Sequence, residues 1–457
     1  MLVCPSISFP AVELRKITGI QHYEERLLFM LLALRDPNVR VVYVTSMPVD
    51  QAVIDYYLDF LPDPDDARRR LDLVAAEDPE PRALTTKLLD RPTLIEHLRS
   101  LAGDPSGAYI LPFNVTSWEG ALADALGLPL HGARPDLSPL GSKSGARRLA
   151  RDAGVEVLEG AEDLWSVEEI EAAADALLRA RPDVRAVVIK LNNGFSGQGN
   201  AIVQRRDLRR PLEDSVTVFC AGEESWPSFR RKIASGGAIV EELVRAPGLT
   251  SPSVQMTISS DGAVAVLSTH DQVLGGPDEQ VYLGCRFPAR ADYREAIRES
   301  GLRIARALAD RGVIGPFGVD FLVVPAAGGC RVYLSEINLR MGGTTHPLAM
   351  AQLASGGRYE ASTGELLVGD QPKSYVATDN LKSDRYIGMA PSSVVKALRD
   401  GGLAFDPETN TGATLHLLGA LRHFGKMGVT CIENSTAAAD GLLARIVLLL
   451  DRLAGTR

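Results

Sequence analysis

Asp320, Glu336 and Asn338 are hard oxygen ligands, and Arg340 lies two residues beyond the last of them. Val319–Pro325 and Arg331–Ile337 read as strands joined around Ala326–Gly329. Alternate residues of a strand share a face. If the two runs pair, the carboxylates meet, and the every-other-residue spacing of Glu336, Asn338 and Arg340 aims all three at one point. Magnesium prefers such oxygens and completes its octahedron with water and nucleotide phosphates. Arg340 would reach a phosphate or an acyl-phosphate.

Lys190 closes an apolar run and is followed by Leu191-Asn192-Asn193-Gly194-Phe195-Ser196-Gly197-Gln198-Gly199. Such a loop can aim backbone N–H groups at phosphate oxygens, since glycine permits close approach and positive φ. It is not a Walker motif, because the lysine precedes the loop. Lys143, in Gly141-Ser142-Lys143-Ser144, opens a helix, where free N–H groups and the dipole favour anions. Ile239-Val240-Glu241-Glu242-Leu243-Val244 is a strand able to offer backbone groups to an adenine edge. Read alone, each feature also fits a polar strand edge, a turn, a helix start or an ordinary strand.

The chain that must position these groups has 457 residues, which suits two to four domains. Its net charge of −9 argues against a nucleic-acid partner, which calls for a basic surface. Arginine outnumbers lysine 40 to 9, so a lysine inside a motif is less readily filler. Cys4, Cys220, Cys285, Cys330 and Cys431 have neither zinc nor disulfide spacing. The opening MLVCPSISFPAVELRK does not read as a signal peptide, and the apolar run around Ile446–Leu450 is too short to span a bilayer. A cytoplasmic location is expected.

Residues 1–140 read as α/β: strands at Val39–Val44 and Ala108–Pro112, helices at Glu24–Arg35 and Ala83–Leu101, and hence a parallel sheet covered by helices. From there the pattern predicts a helix over Ser144–Ala153, a strand at Val155–Val157 and a helix over Val167–Ala180. Strands follow at Val184–Lys190, Ile202-Val203, Ala238–Val244, Ser253–Ser259 and Ala263–Ser268, the last two about an Asp261-Gly262 turn. A helix over Tyr293–Asp310 precedes the acidic hairpin. The tail holds extended runs at Thr414–Leu421 and Val429–Ile432, linked through Gly425-Lys426-Met427-Gly428, and a helix near Thr436–Leu453.

The order Lys143, Lys190 with its glycine loop, Glu241-Glu242, Asp320, Glu336-x-Asn338-x-Arg340 resembles the ATP-grasp superfamily over roughly residues 105–350. The segments GSKSGARRLARDAGVEV and EINLRMGGTTHP carry the likeness most closely. The resemblance implies an N-terminal pre-ATP-grasp domain (1–140), a central lid domain (141–244), a metal-binding lobe (245–350) and a C-terminal extension (351–457). By the same resemblance, ATP and Mg2+ are the cofactors. Lys143 and Lys190 hold phosphates under a flap that includes Ser196, Gly197 and Gly199. Glu241, Glu242, Leu243 and Val244 border the adenine. Asp320, Glu336 and Asn338 bind the metal, and Arg340 with Lys190 stabilises the transferred phosphoryl group.

Two departures stand out: Asp320 where glutamate is commoner, and no acid for the ribose in Pro247–Ser253. The EINLRMGGTTHP segment and the long tail look most like the peptide-ligase branch known from pheganomycin biosynthesis. That likeness implies a guanidino amino acid as acyl donor, the N-terminus of a peptide as amine, and admits a homodimer. His270, Asp271, Gln272 and Arg286 are the expected donor contacts, with Asp271 gripping the guanidino group. A carboxylase or a phosphotransferase on the same scaffold would share Lys143, Lys190 and Glu336; a non-catalytic ATP-binding module is disfavoured by the intact pair Glu336 and Arg340, since binding alone does not demand both.

Overall fold

Val41–Thr45 is buried along its whole length, as a β-branched run between two helical layers must be. It lies inside a four-stranded parallel sheet of order Leu71–Ala75, Val41–Thr45, Leu2–Cys4, Ile110–Pro112. The chain is described here from a computed structural model covering residues 1–194, 199–209, 211–275 and 281–455. Ile20–Arg35 is helical as expected but wound tighter than an α-helix. The helix expected over Ala83–Leu101 is two, Leu84–Leu89 and Pro92–Ala102. Proline at 92 has no N–H to continue the first helix and instead starts the second.

The second sheet has five strands, ordered Gly160–Leu164, Ala238–Glu242, Ala186–Leu191, Asn200–Gln204, Thr217–Phe219. Its apolar face packs on the helices Val167–Ala180 and Trp226–Gly236. The first of these begins where Ser166 and Glu169 form a reciprocal capping box. The expected strand Val155–Val157 is a correction: it makes one bridge, Val157 to Leu334, and the strand proper starts at Gly160.

The third sheet has ten strands. Its main path runs Gly329–Asn338, Gly315–Ala326, Pro252–Ile258, Val264–Gly275, Val281–Phe287, Gln371–Lys382, Glu365–Val368, Arg358–Glu360. Lys426–Glu433 pairs with Gln371–Lys382 and with Gly412–His416. Segment 351–457 therefore adds strands to the sheet that carries the acidic hairpin. The run expected as extended over Thr414–Leu421 turns at Leu417, whose φ of 54° ends the strand, and becomes a helix at Gly419–Phe424. Helix Ala291–Ala309 covers one face of the sheet. A separate apolar core joins the first residues to the last: Val3, Leu27 and Tyr57 pack in one cluster with Leu415, Ile446 and Leu450.

Candidate active site

The acidic hairpin forms as expected, with Asp320 opposite Glu336 and Gly318 opposite Asn338. A bulge between Asp320 and Phe321 shifts the register at Ser335, so that two residues face one and Glu336 is brought opposite Asp320. Asp320 is clamped by two amides: Gln272 Nε2 donates to Oδ1 at 2.9 Å and Asn338 Nδ2 to Oδ2 at 3.0 Å. Burial first, and then the Glu336 charge, push its carboxyl up to about 7. Arg340 is a partial correction. The strand ends at Asn338, and Arg340 lies in a tight turn whose N–H donates to the Asn338 carbonyl at 2.8 Å. Its guanidinium folds back onto Asn338 Oδ1 at 2.8 Å, so the turn and not the strand period aims it.

Lys143 is the first residue of helix Lys143–Asp152, capped by Ser142. Gly145 must be glycine, because a Cβ there would lie 1.9 Å from the Pro139 carbonyl oxygen. Asn192 ties this helix start to the glycine loop: its Oδ1 accepts from Ser144 N at 3.0 Å and from Ser144 Oγ at 2.8 Å. Gly194 and Gly199 then close on each other, a Cβ on either coming 3.2 Å from the other's Cα. Ser196 and Gly197 lie outside the described residues.

Both lysines are buried and aim into the same space. Lys143 Nζ lies 3.2 Å from Glu336 Oε1, and Lys190 Nζ lies 2.5 Å from Glu241 Oε1. Glu241 Oε2 accepts from Arg147 at 2.9 Å. Both Glu241 oxygens are thus engaged, and the Leu243 amide donates to the Ala186 carbonyl at 3.0 Å. Glu242, Leu243 and Val244, expected beside the adenine, border the cavity.

These groups line one cavity of ≈ 530 Å³ between the five-stranded and ten-stranded sheets. Models of three families match the chain: "Pre ATP-grasp domain" at residues 26–128, "IQCH-like, ATP-grasp" at 207–358 and "PGM1 C-terminal domain" at 393–446. The L-propargylglycine–L-glutamate ligase of Streptantibioticus cattleyicolor is 34% identical, over 94% of this chain and 89% of its own. The chain belongs to the ATP-grasp superfamily.

Other likenesses of this ATP-grasp chain are more distant. The IQ motif-containing protein H of Danio rerio is 24% identical over 76% of the chain, which spans 38% of that protein. Among solved structures, the biotin carboxylase of Campylobacter jejuni superposes with a TM-score of 0.60 at 14% identity, covering 96% of this chain and 88% of its own. The N5-carboxyaminoimidazole synthetase of Staphylococcus aureus gives 0.53 at 13% identity, covering 93% and 95%. These two show the fold.

Membership brings ATP and Mg2+ as cofactors, and the residues fit them. Asp320, Glu336 and Asn338 supply hard oxygens within one site, and a buried carboxyl as high as Asp320 gains most from a cation beside it. Lys143 and Lys190 bring two ammonium groups to the cavity from two different elements, as phosphates would require.

The expected donor contacts divide. Gln272 borders the cavity and holds Asp320. His270, Asp271 and Arg286 do not line it. His270 is fully buried, pushed down to about 3 by burial, and its Nε2 meets the Tyr375 hydroxyl at 2.5 Å. Asp271 takes hydrogen bonds from the Tyr293 hydroxyl at 2.5 Å and the Arg290 amide at 3.1 Å, which commits it to the next helix. Arg286 pairs with Asp440 of the last helix at 3.1 Å. Successive residues of a strand face opposite ways, so Asp271 and its cross-strand neighbour Arg286 point away from the face that carries Gln272.

The far end of the cavity is built from residues that sequence spacing did not join: Tyr23, Arg26, Tyr282, Asp379, Lys382 and Lys426. Asp379 is buried. One oxygen accepts from His346 Nε2 at 3.0 Å and His416 Nε2 at 2.7 Å, and the other pairs with Arg26. Its carboxyl is held well below the usual range against a burial penalty, by Arg26 and the two imidazoles. The one signal available in the sequence was the scarcity of lysine.

Proposed function

We propose that this chain is an ATP- and magnesium-dependent carboxylate–amine ligase that joins two amino acids through an acyl-phosphate. The observation that carries this reading is the meeting of Asp320, Glu336, Asn338 and Arg340 with Lys143 at one end of the cavity. The relative named as an amino acid–amino acid ligase, matched along almost its whole length, supports the substrate class.

Magnesium at the acidic hairpin would neutralise the phosphates and favour their transfer. The chain's own groups supply the rest. Lys143 and Lys190 bind and orient phosphate oxygens, and Arg340 balances charge growing on the transferred phosphoryl group. Gln272 and Asn338 hold Asp320 in a fixed direction. The site lies between the two sheets, where water must be kept from the activated acyl group for the amine to react with it.

A guanidino donor and a peptide acceptor remain finer readings of the same site. Asp271, expected to grip the guanidino group, is taken by Tyr293 and Arg290. The lysines and Arg26 at the far end favour anionic groups over cationic ones. An acidic amino acid on the amine side, such as the glutamate in the relative's name, fits that charge better.

The test is ADP and phosphate release across pairs of amino acids, with hydroxylamine present to trap the acyl-phosphate. Amide product with one phosphate per turnover, and a hydroxamate from the donor, is the expected result. A stable phosphorylated product would move the chain to phosphotransfer. ATP binding with no turnover on any pair would reduce it to a nucleotide-binding module.

A further inference from the structure

The ligase reading leaves charge unassigned at the far end of the cavity. Of the nine lysines in the chain, Lys16, Lys143, Lys190, Lys382 and Lys426 line this cavity. Three are paired: Lys143 with Glu336, Lys190 with Glu241, and Lys16 with Glu13 and Glu223. Among the described residues, Lys426 and Lys382 have no carboxylate partner. Lys426 is 6% exposed, and its ammonium donates to the Tyr23 hydroxyl at 2.5 Å. A buried ammonium without a counter-charge is costly, and an anion brought by a ligand removes that cost.

The local backbone is shaped to place this lysine. Gly425, at φ 56°, turns the chain out of helix Gly419–Phe424 directly into the strand that Lys426 begins. Gly428 leaves room for the His416 ring, which a Cβ would meet at 2.0 Å. The strand register sets Lys382 opposite Lys426. Arg26 stacks over the Tyr23 ring at 4.3 Å while paired to Asp379. One phenol thus holds Lys426 and underlies Arg26.

We propose that Lys426, with Lys382 beside it and Arg26 on its flank, binds a carboxylate carried by the amine substrate. This rests on the ligase reading and names the class of its second substrate: an amine bearing a carboxylate that is not the one activated. The activated carboxylate must reach the terminal phosphate beside Asp320, Glu336 and Arg340, at the hairpin edge of the ten-stranded sheet. Lys426 sits on the other side of that sheet's path, beyond the strands Pro252–Ile258, Val264–Gly275, Val281–Phe287 and Gln371–Lys382. A carboxylate anchored there leaves the amine at the leading end, facing the hairpin across the cavity.

The test compares wild type with Lys426→Met, using the best amine substrate and its carboxamide analogue. Losing one buried charge-assisted contact raises the KM for the acid form about thirtyfold. The KM values for ATP and for the donor stay as they were. Wild type loses a similar factor on the carboxamide, and Lys426→Met no longer separates the two forms. An unchanged amine KM, or a change confined to ATP, overturns the proposal.

If wild type turns over no amino-acid pair, the ligase reading fails, and calorimetry tests the subsite alone. L-aspartate is titrated into the protein with magnesium and a non-hydrolysable ATP analogue. Binding that Lys426→Met weakens about thirtyfold supports the subsite; equal binding, or none by wild type, overturns it. Should Lys426→Met fail to fold, exposed Lys382 serves instead. Lys382→Ala lowers acid-over-carboxamide discrimination about threefold, and unchanged discrimination overturns the proposal.

Discussion

The two ends of the cavity handle positive charge in opposite ways. At the hairpin end, Lys143 and Lys190 each face a carboxylate of the site, Glu336 and Glu241. At the far end, Lys382 and Lys426 face none among the described residues, and the acid there, Asp379, is occupied by Arg26 and two imidazoles. A polyanion that arrives with its own cation suits the Lys143–Glu336 pair, since phosphate and metal would take one partner each. A bare anion suits the far end. On the proposed ligase reading, the paired charges suit a metal–nucleotide and the unmatched ones an organic acid.

The largest way to break this contrast is Glu336→Gln. It should lower kcat roughly 10³-fold at saturating magnesium and leave the amine KM in place; retained turnover would remove Glu336 from the metal set. Lys190→Met should cost about 10²-fold in kcat/KM for ATP, measured by ADP release. An equal loss on the amine side would erase the distinction between the two ends.

Asp320 sharpens the contrast through pH. Its folded carboxyl, near 7, stands above its ordinary value of 3.8, so the fold prefers the protonated form. That stabilisation is full at pH below the ordinary value and is lost as pH rises through about 7. Metal-free protein should therefore lose about 2 kcal/mol between pH 5 and 8 in urea unfolding relative to Asp320→Asn; parallel curves would refute it. The smallest effect is expected at Asp271, outside the cavity. Asp271→Asn should reduce stability by about 1 kcal/mol and leave donor selectivity unchanged. A shift in selectivity would return Asp271 to the substrate.

Local signals were readable where a local cause sets the structure. The capping box at Ser166 and Glu169 fixes the start of Val167–Ala180, and the helix matches the expectation residue for residue. The acidic hairpin was legible as two strands about a turn, but Asp320 and Glu336 come opposite each other through a bulge that no spacing announced. Arg340 escaped the every-other-residue spacing because the strand stops before it. Val155–Val157 has the composition of a strand but finds one bridging partner, at Leu334. The far end was illegible for a plainer reason. Arg26 and Asp379, or Tyr23 and Lys426, come from opposite ends of the chain, and no spacing rule spans such a gap. His270–Gln272 and Arg286 drew attention as polar residues, yet alternation turns Asp271 away from the Gln272 face, and His270, on that face, is buried against Tyr375.

The shared core of the two chain ends has a consequence for synthesis. Leu27, Leu28 and Leu31 leave the ribosome long before Leu442, Ile446 and Leu450, which cover the same cluster. Until then the nascent chain carries an uncovered apolar face, the kind of surface that chaperones retain. A polypeptide cut short before residue 426 would hold Lys143, Lys190, Asp320 and Glu336 but lack both Lys426 and the helix that covers the core, so the far end of the cavity and the closure of this core depend on the same late-made segment.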